Sequence, residues 1–97
     1  RNAYGATPLH DAALGGHRDV AALLLDHGAD REARENESGS TPLYDAASMG
    51  RLEVVRLLIA RGADVNAINK AGATPLHAAV VNGFDKGASA LRAHGAR

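Results

Sequence analysis

The sequence predicts an all-α solenoid, in which short helix-turn-helix units stack side by side and β-turn fingers join them. Three observations predict it. Thr7-Pro8-Leu9-His10, Thr41-Pro42-Leu43-Tyr44 and Thr74-Pro75-Leu76-His77 recur at spacings of 34 and 33 residues. A glycine follows each threonine by 21 residues, in Gly28-Ala29-Asp30, Gly62-Ala63-Asp64 and Gly95-Ala96-Arg97. Of the 97 residues 21 are Ala, which leaves only 23 bulkier apolar side chains to build a core. A period near 33 marks a stack in which no single unit can bury its own apolar face.

Each element follows from local chemistry. Residues 1–97 read as one domain, with unit 1 at about 1–34, unit 2 at about 35–67 and unit 3 at about 68–97. In every unit Thr caps a helix and Pro takes its first position, where the missing N–H needs no partner. That helix runs to Gly15-Gly16, Gly50 or Gly83, because glycine readily makes the left-handed turn that ends a helix. A second helix follows. In unit 1 it spans Asp19 to His27 with Val20, Leu23 and Leu24 at helical spacing; in unit 2 the stripe is Val54, Leu57 and Leu58. Gly28 and Gly62 stop these helices. The linkers carry Asn2-x-x-Gly5, Asn36-x-x-Gly39 and Asn69-x-x-Gly72, which is turn chemistry. Helices of about two turns are unstable alone in water and must be held by neighbours. The alanines are then packing spacers that let adjacent units approach.

Composition removes several functions. There is no Cys, hence no disulfide framework and no thiolate-bound zinc. No apolar run approaches the roughly 18 residues of a membrane span. Eleven basic and eleven acidic residues cancel, which argues against a general nucleic-acid binder. The zero hides a gradient: residues 1–33 carry 3 basic and 5 acidic groups, 34–66 carry 4 and 5, and 67–97 carry 4 and 1. No nucleophile elbow, phosphate loop or His-Glu-x-x-His is present. His10, His17, His27, His77 and His94 recur one unit apart and do not converge as metal ligands. The chain therefore reads as a non-enzyme without cofactor or metal.

The run Gly5-x-Thr7-Pro8-Leu9-His10-x-Ala12-Ala13-x-x-Gly16-His17, followed by Leu23-Leu24-Leu25 and Gly28-Ala29-Asp30, resembles the ankyrin repeat. The resemblance covers nearly the whole chain as three repeats. It implies a protein-interaction module, intracellular, that binds a protein or peptide on a concave face of finger tips and first helices. The positions it points to are Tyr4, Asp11 and Leu14 in unit 1. In unit 2 they are Glu37, Ser38, Ser40, Asp45, Ser48 and Met49, and in unit 3 Lys70, Val81 and Asn82. Asp11 and Asp45 occupy equivalent places and are expected side by side, roughly 10 Å apart, with Glu37 adding a third charge. Such a strip suits a partner with a basic residue. Neither nucleic acid nor membrane is expected as a partner. Leu58, Asp64, Val65 and Asn66 also resemble the context in which a eukaryotic asparaginyl hydroxylase acts, making Asn66 a candidate for modification.

Three departures from the pattern stand out. Thr41 lies thirteen positions after Gly28, whereas Thr74 lies twelve after Gly62, and the extra residue is expected within Arg31–Glu35. Tyr44 replaces the usual His, which in the family stabilises the turn between units. In unit 3 the second helix reads Asp85-Lys86-Gly87-Ala88, where unit 2 has apolar residues, and is expected to be degenerate or a polar cap. The start inside a finger at Arg1, without Met, suggests a piece of a longer array. The alternative reading is an engineered or truncated scaffold that self-associates, its acidic start meeting its basic end, or that serves as a stability or folding model; the chain is then either a monomer or weakly self-associating.

Overall fold

The computed structural model describes residues 5–97, and in them six α-helices and no strand. The first layer holds α1 (Pro8–Gly15), α3 (Pro42–Ser48) and α5 (Pro75–Val81). The second holds α2 (Arg18–Asp26), α4 (Leu52–Ala60) and α6 (Asp85–Ala93). Neighbours within each layer pack on one another, and each first-layer helix also packs on the helix that follows it. The result is a two-layer stack of three helical hairpins measuring 29 × 27 × 20 Å.

The first-layer helices begin as their chemistry dictates. The hydroxyls of Thr7, Thr41 and Thr74 accept from the backbone N–H of His10, Tyr44 and His77 at 3.3, 3.3 and 3.1 Å. Proline fills the first turn in all three. Second-layer helices have no such side-chain cap. They end on glycine: Gly28, Gly62 and Gly95 take φ of 89°, 84° and 93°, which side chains avoid. The chain thereby turns back, and the next N–H reaches Leu24, Leu58 and Leu91 carbonyls at 3.0 Å.

Alanine lines the seam between layers. Ala12, Ala13, Ala46, Ala47 and Ala79 are buried with Leu9, Leu43 and Leu76 between them. Val54, Val55, Leu57 and Leu58 of α4 close the centre of the stack. Their unit 1 counterparts differ: Val20 and Leu23 are exposed, because no hairpin lies on that side of α2 among the described residues.

The extra linker residue is not where the sequence placed it. Ala33 and Ala67 are both buried and donate to the carbonyls of Asp30 and Asp64, so the two linkers run in register through Ala33. Glu35 N–H then donates to the Ser40 carbonyl as Asn69 N–H donates to that of Ala73, across one residue more. The insertion lies inside finger 2, within residues 36–39. It opens a turn closed by Gly72 N–H on Asn69 into one closed by Gly39 N–H on Glu35. Glu35, and not Asn36, is therefore the structural partner of Asn69.

Gly87 also has a physical reason. α6 is continuous for 9 residues, with Gly87, Ala88 and Leu91 buried. A Cβ on Gly87 would fall 2.3 Å from the Phe84 ring, which folds back over this turn. An aromatic residue from the preceding turn occupies the space that a Val side chain fills in α4. The exposed side of α6 is polar, with Asp85, Lys86, Ser89 and Arg92.

Candidate functional site

The candidate surface is built from the first-layer helices and the two described fingers. His10 sets the spacing of units 1 and 2. Its Nδ1 accepts from Thr7 N–H at 3.0 Å, which leaves Nε2 protonated to donate to the Ser40 carbonyl at 2.9 Å. The ring is fully buried. At the equivalent place Tyr44 is half-buried and His77 is exposed. Units 2 and 3 are tied through their fingers instead. Lys70 N–H donates to Ser38 carbonyl at 2.9 Å, Lys70 Nζ donates to Asn36 carbonyl, and the Arg34 guanidinium donates to the carbonyls of Gly39 and Ile68.

On this frame Leu14, Ser48 and Val81 take equivalent positions at the ends of α1, α3 and α5, followed by Met49 and Asn82. Leu14, Met49 and Val81 are 38%, 51% and 67% exposed. They form an apolar row along the stack. Asn82 folds back, its Nδ2 donating to the Ala78 carbonyl at 2.8 Å. Asp11, Glu37, Ser38 and Lys70 are exposed, and Ser48 is half-buried. Tyr4 lies outside the described residues.

Two residues sit differently from a surface strip. Ser40 is buried at 4% exposure and serves the frame, its carbonyl taken by His10. Asp45 is also buried, at 6%, and its Oδ2 has no hydrogen-bond partner. Burial pushes its carboxyl up to about 7, and the charges of Glu35 and Asp11 push in the same direction. Sequence reasoning missed Glu35 because it counted the finger from Thr41 and so set Glu37 beside the aspartates. Counting forward from Ala33 would have found it.

Asn66 sits half-buried at the other edge. Its N–H donates to Asp64 Oδ1 at 2.9 Å, its Nδ2 to the Gly95 carbonyl at 3.1 Å, and its Oδ1 accepts from Arg97 N–H at 3.0 Å. In unit 1 the matching residue is Glu32, whose carboxylate accepts from Asp64 N–H at 2.8 Å. Both residues tie one unit's closing loop to the next.

Among the described residues no group of three His, Cys, Asp or Glu side chains is placed to hold a metal ion. Among the same residues no helix is long and apolar enough to cross a membrane. The family model described as ankyrin repeats (3 copies) matches residues 1–69 and 31–97, which together cover the chain. Comparison with curated proteins finds no match.

Proposed function

The chain belongs to the ankyrin repeat family, and from that premise we propose that it binds a partner protein or peptide through its fingers and first-layer helices. Repeats of this family are generally non-catalytic protein-interaction modules. The observation that carries the finer reading is the exposed row of Leu14, Met49 and Val81, bordered by Asp11, Glu37, Ser38 and Lys70. An apolar stripe with a polar rim is what a protein interface uses, and methionine adapts its shape to what it meets. The partner carries a basic residue against the acidic half of the strip. An intracellular setting belongs to the same reading and rests on the family.

Capture with the wild-type chain and with Met49→Arg/Val81→Arg, both checked for helical content, tests this. The wild type should retain a partner that the double variant loses. Retention by both would move the interface off this strip.

Self-association is the second reading. It is favoured by apolar side chains left open at both ends of the stack, Val20 and Leu23 on α2 and Val80 and Val81 on α5. Sedimentation at rising concentration separates it, since a strict monomer argues for a different protein as partner. Hydroxylation of Asn66 is a separate proposal. A native peptide carrying one added oxygen at Asn66 would support it, and an unmodified peptide would sink it.

A further inference from the structure

We infer that the groove between α4 and α6 is a second docking site, on the layer opposite the first-layer strip, for a partner peptide that presents a leucine beside an acidic residue. The case comes from comparing equivalent positions of the three units. Leu23, Leu57 and Ala90 occupy one place in α2, α4 and α6. That place faces the preceding unit. Leu23, with no unit before it among the described residues, is 58% exposed, whereas Leu57, with α2 packed before it, falls to 5%. In unit 3 the leucine is an alanine, so α6 brings no branched side chain to its junction with α4.

A clasp differs as well. At the first junction Arg61, just past α4, reaches Asp26 of α2 at 2.8 Å. The equivalent residues of the second junction are His94 and Ala60, so the carboxylate of that clasp is replaced by a methyl group. The result is a cavity of about 330 Å³ lined by Arg56, Ile59, Ala60, Ala90 and His94. That volume lies at the lower end of the range of ligand pockets. Compared with the first junction, the second is short of one branched apolar side chain and one carboxylate. A leucine with an acidic neighbour supplies both.

Charge selects the occupant. The cavity wall is apolar at Ile59, Ala60 and Ala90, its polar members are Arg56 and His94, and no acidic side chain lines it. Among the described residues Arg56 pairs with Glu53 of its own helix, at 3.6 Å and with both side chains exposed, which contributes little. An adjoining recess shares Arg56 and Ala90 and adds Lys86 and Asp85, whose charges cancel. The cationic excess therefore sits at the apolar end. A leucine buried there excludes water beside the Arg56 guanidinium, and its pairing with a neighbouring carboxylate grows stronger. The two groups of the peptide are thus recognised together.

Three short probes test the site. Acetyl-leucyl-aspartyl amide, its neutral isostere acetyl-leucyl-asparaginyl amide and acetyl-alanyl-aspartyl amide are titrated into the labelled chain at low salt and followed by amide NMR. The first should move the resonances of Ile59, Ala60, Ala90 and His94 with millimolar affinity. The second should bind about fivefold more weakly, and the third about tenfold. Ala90→Leu restores the side chain found at Leu57 and should abolish binding while helical content is kept. Arg56→Gln, at an exposed position, should bring the first probe down to the affinity of the second. Met49→Arg/Val81→Arg, on the first-layer strip, should leave peptide binding unaltered, so this site and that strip stand or fall separately. No shift with the first probe, equal affinity for the first and second, or wild-type affinity in either Ala90→Leu or Arg56→Gln would overturn the site. The same shifts on concentrating the chain without peptide would give the groove to a second copy and overturn it too.

Discussion

The two junctions of this stack solve one problem in different ways. Between units 1 and 2 a buried imidazole, His10, reaches across to the Ser40 carbonyl. Arg51 Nε adds a bond to the Leu14 carbonyl at 2.9 Å, and Arg61 pairs with Asp26 at 2.8 Å. Between units 2 and 3 the imidazole is replaced by Tyr44, and the tie moves outward to the fingers and to Asn66. The next position differs as well. Asp45, in reach of Asp11 and Glu35, leaves an unpaid carboxyl at the first junction, while Ala78 makes the second junction electrically silent. Of the two, the first junction is the one that carries a buried carboxyl.

The largest expected effect breaks the first junction. His10→Ala removes a fully buried ring, strands Thr7 N–H and leaves the Ser40 carbonyl with the Glu35 N–H alone. It should cost about 2–4 kcal/mol, read from urea unfolding. The equivalent His77→Ala, at an exposed site, should fall within about 0.5 kcal/mol, and equal losses would abolish the distinction between the junctions.

Next in size is the burden itself. Asp45 has a folded pKa of about 7 against an unfolded value of 3.8. Between these values the folded chain holds more protons, so stability falls as pH rises. Below about pH 4 both states are protonated and the penalty vanishes; above pH 7 it is fully present. Asp45→Asn should therefore be more stable than the wild type by about 1–3 kcal/mol at pH 8, with the gap closing toward pH 4. Melting curves at the two pH values check this, and a gap that does not change with pH would refute it.

The smallest effect probes the second junction. Alanine is favoured over glycine inside a helix by about 1 kcal/mol. Gly87→Ala should nevertheless destabilise by about 1 kcal/mol, because the new Cβ meets the Phe84 ring. In a Phe84→Ala background the same change should stabilise by about 1 kcal/mol. A double-mutant cycle reads the coupling directly, and a sign that does not reverse would mean that the ring is not what forbids a side chain at 87.

Much of the fold was legible because repetition carries the information three times. The Thr-Pro starts, the glycine stops and the alanine seam are local features, and each lands where local chemistry puts it. Other features depend on contacts between units. The extra residue could be counted from Gly28 and Thr41, but its location is set by which backbone bonds close the finger. Ser40 and Asp45 are polar residues whose burial no local pattern announces. Gly87 looked like decay because the residue that fills its space sits three places earlier. The candidate surface was legible to the same degree. Leu14, Met49 and Val81 follow from position alone, whereas Glu35 emerges only from the true register of finger 2.

The Phe84–Gly87 pairing bears on how such a chain could be re-engineered. A designer averaging over repeats would replace Gly87 early, since no single-position table records the ring leaning over it. That substitution alone meets the ring, and removing Phe84 alone leaves an empty slot beside Ala88 and Leu91. The two sites exchange residues safely only together. A three-unit chain therefore contains a place where the common choice at each position is not the best choice for the pair, and where a path through single substitutions runs downhill in stability before it recovers.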